Sequence, residues 1–193
     1  MKVKYNLVYL SDEFYYKYNT EKFPEIEHKK ERPYLVMLVK INENTFAIPF
    51  RTNVKHRFCY KFKNSSRNTY SSTGLDYSKA VIVNDENFIG ANAFIDNKEY
   101  VELNNKYFFI IKQFTQYVDG YIKVMNGNGN KFDLQKYKYS TLKYFHSELG
   151  LEKNQHQKTF TYSRKQLKET ADKISNDKTQ NKNRVHEKEE LKI

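Results

Sequence analysis

The sequence predicts an α+β fold: a compact, mostly antiparallel sheet that curls strongly on itself, two helices packed on it, and a polar C-terminal tail. Three observations carry this expectation. Short apolar runs at 34–41, 45–50 and 80–83 are separated by turn-forming residues, as strands of one sheet are. Apolar residues then recur at helical spacing from Tyr107 to Met125. After Leu151 the chain turns to Lys, Gln, Asn, Thr and Glu with scattered apolar residues, too few to bury. One domain is therefore expected over 1–151, and a basic polar tail, disordered or marginally helical, over 152–193.

Residues 2–9 read as a strand with Val3, Tyr5, Leu7 and Tyr9 on one face. Ser11-Asp12-Glu13 then has the composition of a cap before a short aromatic helix at 14–18. Residues 23–32 are a polar connection, and Pro33 forbids a helix across it. The apolar run 34–41 is a buried strand, and Asn42-Glu43-Asn44 turns it back through 45–50. Pro49 has no N–H for a ladder, which predicts an edge or a bulge near the end of that strand. Residues 58–62 read as a further strand and 64–73 as a mobile Ser/Asn-rich loop containing Arg67. Residues 80–83 are a buried strand, and a shorter one is expected around 93–95. Tyr107, Ile110, Ile111, Phe114, Tyr117, Val118, Tyr121, Ile122 and Met125 mark an amphipathic helix, closed by Asn126-Gly127-Asn128-Gly129-Asn130. A second helix carries Leu134, Tyr137, Thr141, Leu142, Phe145 and Leu149, with Gly150 as its C-cap.

Composition bounds the partners. The formal charge of +11 favours encounter with polyanions, nucleic acid first and an anionic membrane surface second. Apolar burial leans on 17 Tyr and 14 Phe, so many hydroxyls must stay wet or bonded inside the core. No window is apolar enough to span a bilayer, and the first ten residues do not read as a secretory signal, so a cytoplasmic protein is expected. A single cysteine, Cys59, rules out an internal disulfide framework and a cysteine-based zinc site; between Phe58 and Tyr60 it reads as a small buried hydrophobe. The five histidines show no metal-ligand spacing, and the Asn/Gly run at 126–130 follows a helix without the Lys-Ser/Thr of a phosphate loop. Neither a metal nor a cofactor is expected. No helix-turn-helix or finger signature points to duplex DNA.

The densest chemistry lies at 48–58, Ile48-Pro49-Phe50-Arg51-Thr52-Asn53-Val54-Lys55-His56-Arg57-Phe58. Metal-free RNA cleavage needs a group to take or orient the 2′-hydroxyl proton, cations for the phosphorane, and an acid for the leaving 5′-oxygen. Thr52 offers a hydroxyl, Lys55 and Arg51 offer charge, and His56 offers an imidazole, the side chain most used as general acid or base. Tyr34, at the start of the paired strand, is placed across the hairpin from this segment. The same groups also suit a basic strand edge that binds anions without chemistry.

Three blocks, Arg32-Pro33-Tyr34-Leu35-Val36, Phe46-Ala47-Ile48-Pro49-Phe50-Arg51-Thr52-Asn53-Val54-Lys55-His56 and Gly74-Leu75-Asp76-Tyr77-Ser78-Lys79-Ala80-Val81-Ile82-Val83, follow an order and spacing that resembles the toxins of type III toxin–antitoxin systems. These are the ToxN/AbiQ-like endoribonucleases, and the likeness is greatest to the TenpN and CptN branch. It covers the arrangement of elements over roughly residues 1–150 and is specific at the three blocks. The resemblance implies a compact MazF-related barrel decorated with helices. It implies metal-independent, sequence-selective cleavage of messenger RNA to a 2′,3′-cyclic phosphate. It also implies inhibition by a repeated, folded small RNA that the toxin processes and binds in a closed assembly, and a role in phage defence by abortive infection.

In better-known members a strand-end Thr-Ser-Pro-Lys supplies the active-site hydroxyl and lysine. Here Arg51 stands at the Thr, Thr52 at the Ser, and one residue is inserted before Lys55. Those members' tyrosine shortly before the proline is unmatched, since Lys29, Lys30 and Glu31 occupy that stretch; either Tyr34 stands in for it or no tyrosine acts. The expected roles follow: Lys55 and Arg51 stabilise the phosphorane, Thr52 positions the scissile group, and His56 is acid or base. Arg32, Arg57, Lys61 and Lys79 hold RNA phosphates, and Tyr34 or Tyr60 is available to stack on a base. The alternative is a non-catalytic RNA-binding module using the same groove. The tail is either a solvated basic extension or an arm on the antitoxin RNA.

Overall fold

The computed structural model describes residues 6–28, 34–68 and 72–151. Arg32, the Pro33 boundary, the start of the first strand and the tail at 152–193 lie outside these residues. The described chain runs β1 (Asn6–Leu10), α1 (Asp12–Lys17), β2 (Leu35–Ile41), β3 (Asn44–Thr52), β4 (Cys59–Lys61), β5 (Thr73–Asp76), β6 (Val81–Ile82), β7 (Ile89–Asn92), α2 (Asn97–Met125) and α3 (Lys131–Lys136). Short 3-10 turns stand at Tyr77–Lys79, Glu86–Phe88 and Thr141–Tyr144. The class is α+β, as expected. The sheet is antiparallel, ordered β4-β5-β3-β2-β1-β7, with β6 also on β3. It is not a closed barrel. The two edges, β4 of three residues and β7 of four, are not paired, and strands so short carry too few ladder bonds to draw the edges together. Among the described residues no helix is long and apolar enough to cross a membrane.

β3 is the middle of the structure, and its burial runs unbroken from Phe46 to Phe50 because both of its faces are covered. On one face Phe46 meets Phe114 of α2 edge-on, and Phe50 stacks on Phe62. On the other, Ala47 and Pro49 share a small cavity with Phe14, Tyr15 and Ile26. Strand alternation places Arg51 on this second face, beneath the segment after α1. The Asn42-Glu43 turn is a two-residue hairpin loop with Asn42 at φ +52°, since Ile41 already pairs with Asn44.

Pro49 is not at an edge. It is the last β3 residue paired to β2, and the other side of β3 changes partner around it. Ala47 pairs with Val81 of β6 and Phe50 with Leu75 of β5, so two residues of β3 face five of the opposing chain. The three extra residues are the 3-10 turn Tyr77–Lys79. A residue without an N–H stands where the ladder is interrupted, and the interruption lifts Ser78 and Lys79 out of the strand pattern just after Asp76.

Several local expectations are corrected. The buried face of β1 is Val8 and Leu10, the opposite parity from that expected, because β1 packs between β2 and β7 and its even residues meet the core. The strand expected at 93–95 lies at 89–92. α2 begins ten residues before its apolar period, where the Asp96 carboxylate accepts from the Lys98 and Glu99 N–H groups. The second helix breaks up after Lys136 and leaves Leu134 exposed. Ser140 accepts from the Leu142 N–H and the Tyr117 hydroxyl, which suits a cap and not a helix interior. The loop at 64–73 is tied down over 64–68 by two acids of α2.

Two outcomes follow from this packing. A Cβ at Gly74 would overlap the Tyr60 carbonyl oxygen across the β4–β5 ladder, so Gly74→Ala should cost about 2–3 kcal/mol in urea unfolding. His146 Nε2 lies 2.7 Å from the Tyr121 hydroxyl, and burial lowers its pKa from 6.5. The unfolded chain then binds that proton more readily, so this stability is complete above pH 6.5 and drains away as pH falls through the folded-state value. Denaturation midpoints across that range should fall less steeply for His146→Gln.

Candidate active site

The chemistry-rich segment begins where β3 ends. Asn53, at φ +58°, turns the chain so that Val54 tucks into the core and donates its N–H to Ser72 O at 3.1 Å. The Cys59 thiol then donates to His56 O at 3.0 Å, and Tyr77 N–H donates to Phe58 O. Between these anchors Lys55, His56 and Arg57 form an exposed tip on a short, pinned loop. Phe58 seats the far end of the loop against Tyr117 and Tyr137.

Asp76, on the last residue of β5, has a fully buried side chain. Oδ2 accepts from Arg51 Nη1 at 2.7 Å and stands 3.3 Å from His56 Nε2. Oδ1 accepts from the Ser78 N–H and hydroxyl. A buried carboxylate requires that many donors. With its Nε2–H directed to Asp76, His56 keeps Nδ1 as an acceptor, and the ring is 39% exposed. This is the base-and-orienter arrangement of acid–base catalysts.

The array extends the other way through Arg51, whose Nη2 donates to Glu27 Oε1 at 2.6 Å while Tyr34 donates to Glu27 Oε2 at 3.0 Å. Burial works against the Arg51 charge, but Asp76 and Glu27 outweigh it and push its pKa up. Burial first, then the Glu27 charge, pushes the Tyr34 phenol far up, so it stays a donor at neutral pH. Lys79, which donates to Tyr139 O, has its pKa lowered by burial and by Arg51. The cavity among Tyr34, Glu27 and Lys79, about 10 Å³, has room for roughly one water.

The structure brings Arg51, His56 and Tyr34 into one bonded array, and Tyr34 does lie across from Arg51. Lys79 borders it. Thr52 and Lys55 are exposed beside it, and among the described residues neither side chain has a hydrogen bond or ion pair. Arg57 lies over the Phe58 ring at 5.2 Å, and Lys61 is exposed on β4. Two expectations change. Arg51 is neutralised by two carboxylates and is no bare cation for a phosphorane. Tyr60 is buried, donates to Glu102 Oε1 at 2.8 Å and packs on Phe62, so its ring is not presented to a base.

The sequence reading passed over Glu27, Asp76 and Ser78. Glu25-Ile26-Glu27 sets two acids around one apolar residue, and Ile26 is buried at a bend in the chain. Asp76 followed by Ser78 is the spacing of a side-chain-capped turn. Both signals are visible in the sequence once the turn is known.

A second pair of acids, Glu99 and Glu102, holds the loop after β4. Glu99 accepts from the Ser65 hydroxyl, from Arg67 Nε and Nη2 at 3.0 and 2.8 Å, and from the Thr73 hydroxyl. Glu102 accepts from the Tyr60 hydroxyl and from the Lys63 and Asn64 N–H groups. Burial acts to raise the Glu102 pKa, and these bonds outweigh it and hold it low. Among the described residues no group of three or more His, Cys, Asp or Glu side chains is arranged to hold a metal ion.

Removing the carboxylate at Asp76 should cost about 3 kcal/mol of stability, because Arg51 loses its buried partner. In a double-mutant cycle, Asp76→Ala and Arg51→Met should be less than additive by about 1 kcal/mol or more. Comparison of the chain with protein-family models, with curated proteins and with solved structures finds no match.

Proposed function

We propose that the protein is an endoribonuclease that cleaves RNA by attack of the 2′-oxygen on the adjacent phosphorus, with no metal in the reaction. The observation that carries this reading is the half-exposed His56, oriented by the buried Asp76 and flanked in sequence by the unpaired Lys55 and exposed Arg57. His56 Nδ1 takes the 2′-hydroxyl proton as the 2′-oxygen bonds to phosphorus. Lys55 balances the phosphorane's charge and gives its proton to the 5′-oxygen as the P–O5′ bond breaks. The products are a 2′,3′-cyclic phosphate and a 5′-hydroxyl. Thr52 bonds the phosphate, and Arg57 and Lys61 hold its neighbours. Arg51 and Tyr34 act as positioning residues, through Asp76 and Glu27.

The three sequence blocks and the charge of +11 support the narrower reading, a toxin of a type III toxin–antitoxin system. On it the curled sheet corresponds to that family's barrel core, left open at its edges. The protein would act in the cytoplasm on messenger RNA in phage defence, restrained by a repeated small RNA that it also processes. The rival, a non-catalytic RNA binder, would use Lys55, Arg57 and Lys61 as anion contacts alone.

Purified protein in EDTA should cut RNA to cyclic-phosphate and 5′-hydroxyl ends. His56→Ala should slow cleavage by about 10²–10⁴-fold, and Lys55→Ala by about 10²–10³-fold, each with an unchanged circular dichroism spectrum. Equal rates in folded variants would sink the assignment. Expression alone in bacteria should arrest growth for wild type and not for His56→Ala, whereas a mere binder would not separate the two.

A further inference from the structure

We propose that the groove between the first turns of α2 and the loop after β4 is a second RNA subsite, which takes one single-stranded nucleotide of the substrate. This rests on the endoribonuclease reading and names where the strand runs beyond the scissile phosphate. The groove has a volume of about 390 Å³, within the range of small-ligand sites. Lys63 and Asn64 line one wall, and Lys98, Asn105 and Lys106 line the other. All five are exposed, and among the described residues none of the three ammonium groups has a hydrogen bond or ion pair.

The one acid in the lining, Glu102, is buried and its oxygens are taken up by Tyr60, Lys63 and Asn64. The groove therefore presents positive charge without a competing carboxylate. The amide of Asn105 offers a donor and an acceptor, the pairing that reads a base edge. One helical turn beyond Asn105 stands Phe109, 52% exposed, with its ring against Tyr60 at 6.4 Å. Cations for the backbone beside an exposed aromatic ring are the elements of a single-strand platform. An acidic polypeptide would use the lysines and leave Phe109 and the amide idle.

β4 links the two sites. His56 lies three residues before it and Lys63 two residues after it, a separation of at most about 23 Å at the rise of an extended chain. A strand lying along β4 passes from one to the other.

The test is fluorescence anisotropy of the full chain with a labelled 2′-O-methyl oligoribonucleotide, which binds but lacks the attacking hydroxyl. Lys98→Ala/Lys106→Ala should weaken binding about tenfold and make the slope of log K against log salt shallower by about 1.4, one single-strand phosphate per lysine. Phe109→Ala should weaken binding by a similar factor and leave the slope alone. Lys98→Arg/Lys106→Arg should keep both. Should Phe109→Ala misfold, Asn105→Ala, exposed and outside the core, takes its place with the same expectation. Wild-type affinity and slope in folded Lys98→Ala/Lys106→Ala would overturn the subsite. Cleavage of unmodified RNA, measured in parallel, separates the two failures. Wild type that cuts while the lysine variant binds equally well sinks the subsite alone. Wild type that never cuts while that variant binds weakly sinks only the nuclease reading. Wild type that binds polyglutamate but no RNA overturns both.

Discussion

A carboxylate sealed from water has to be met by donors on every side, and the array around Asp76 is organised by that requirement. Its four contacts come from the end of β3, the loop at 53–58 and the 3-10 turn after β5. One side chain thus ties together three pieces of chain, beside the ladder pairs Arg51–Gly74 and Cys59–Asp76. The position exists because three residues are inserted opposite Pro49. The turn that follows the end of β5 brings the Ser78 N–H and hydroxyl onto Asp76 Oδ1 and leaves Oδ2 for Arg51 and His56.

The same device recurs across β4. Glu99 and Glu102 enter the interior from the first turns of α2 and gather the donors of the next loop. Acids are the minority charge here, 23 against 34 Lys and Arg. Four of them, Glu27, Asp76, Glu99 and Glu102, are spent on holding backbone and guanidinium groups in place. Lysines such as Lys55, Lys61, Lys63, Lys98 and Lys106 are left on the surface. The basic face seen by a polyanion is thus stronger than the net charge alone conveys.

What could be read from the sequence was what depends on local chemistry. The Ser11 cap, the β2–β3 hairpin, the helical period of α2 and the strand-end position of Arg51 and Thr52 all follow from neighbours within a few residues. What escaped depends on pairing at a distance. The parity of β1 is set by which face of the sheet the rest of the chain covers, and Ser140, beyond the end of α3, is held by the hydroxyl of Tyr117 on another helix. Nothing local ties Glu27 to Asp76, because Arg51, which joins them, is 24 residues from one and 25 from the other. For the same reason Tyr60 looked available for stacking until Glu102 was seen to hold its hydroxyl.

The topology also sets a timetable. Glu27, Arg51, His56 and Asp76 all lie in the first eighty residues, so the residues of this array are synthesised early. The sheet is complete only when β7 pairs with β1, and the loop after β4 is held only when Glu99 and Glu102 arrive. At about 5–20 residues per second of synthesis, a nascent chain carries the reactive residues for a second or more before the acids that steady the adjoining loop exist. A protein that cuts RNA would, by this order, be born beside its ribosome in an unfinished form.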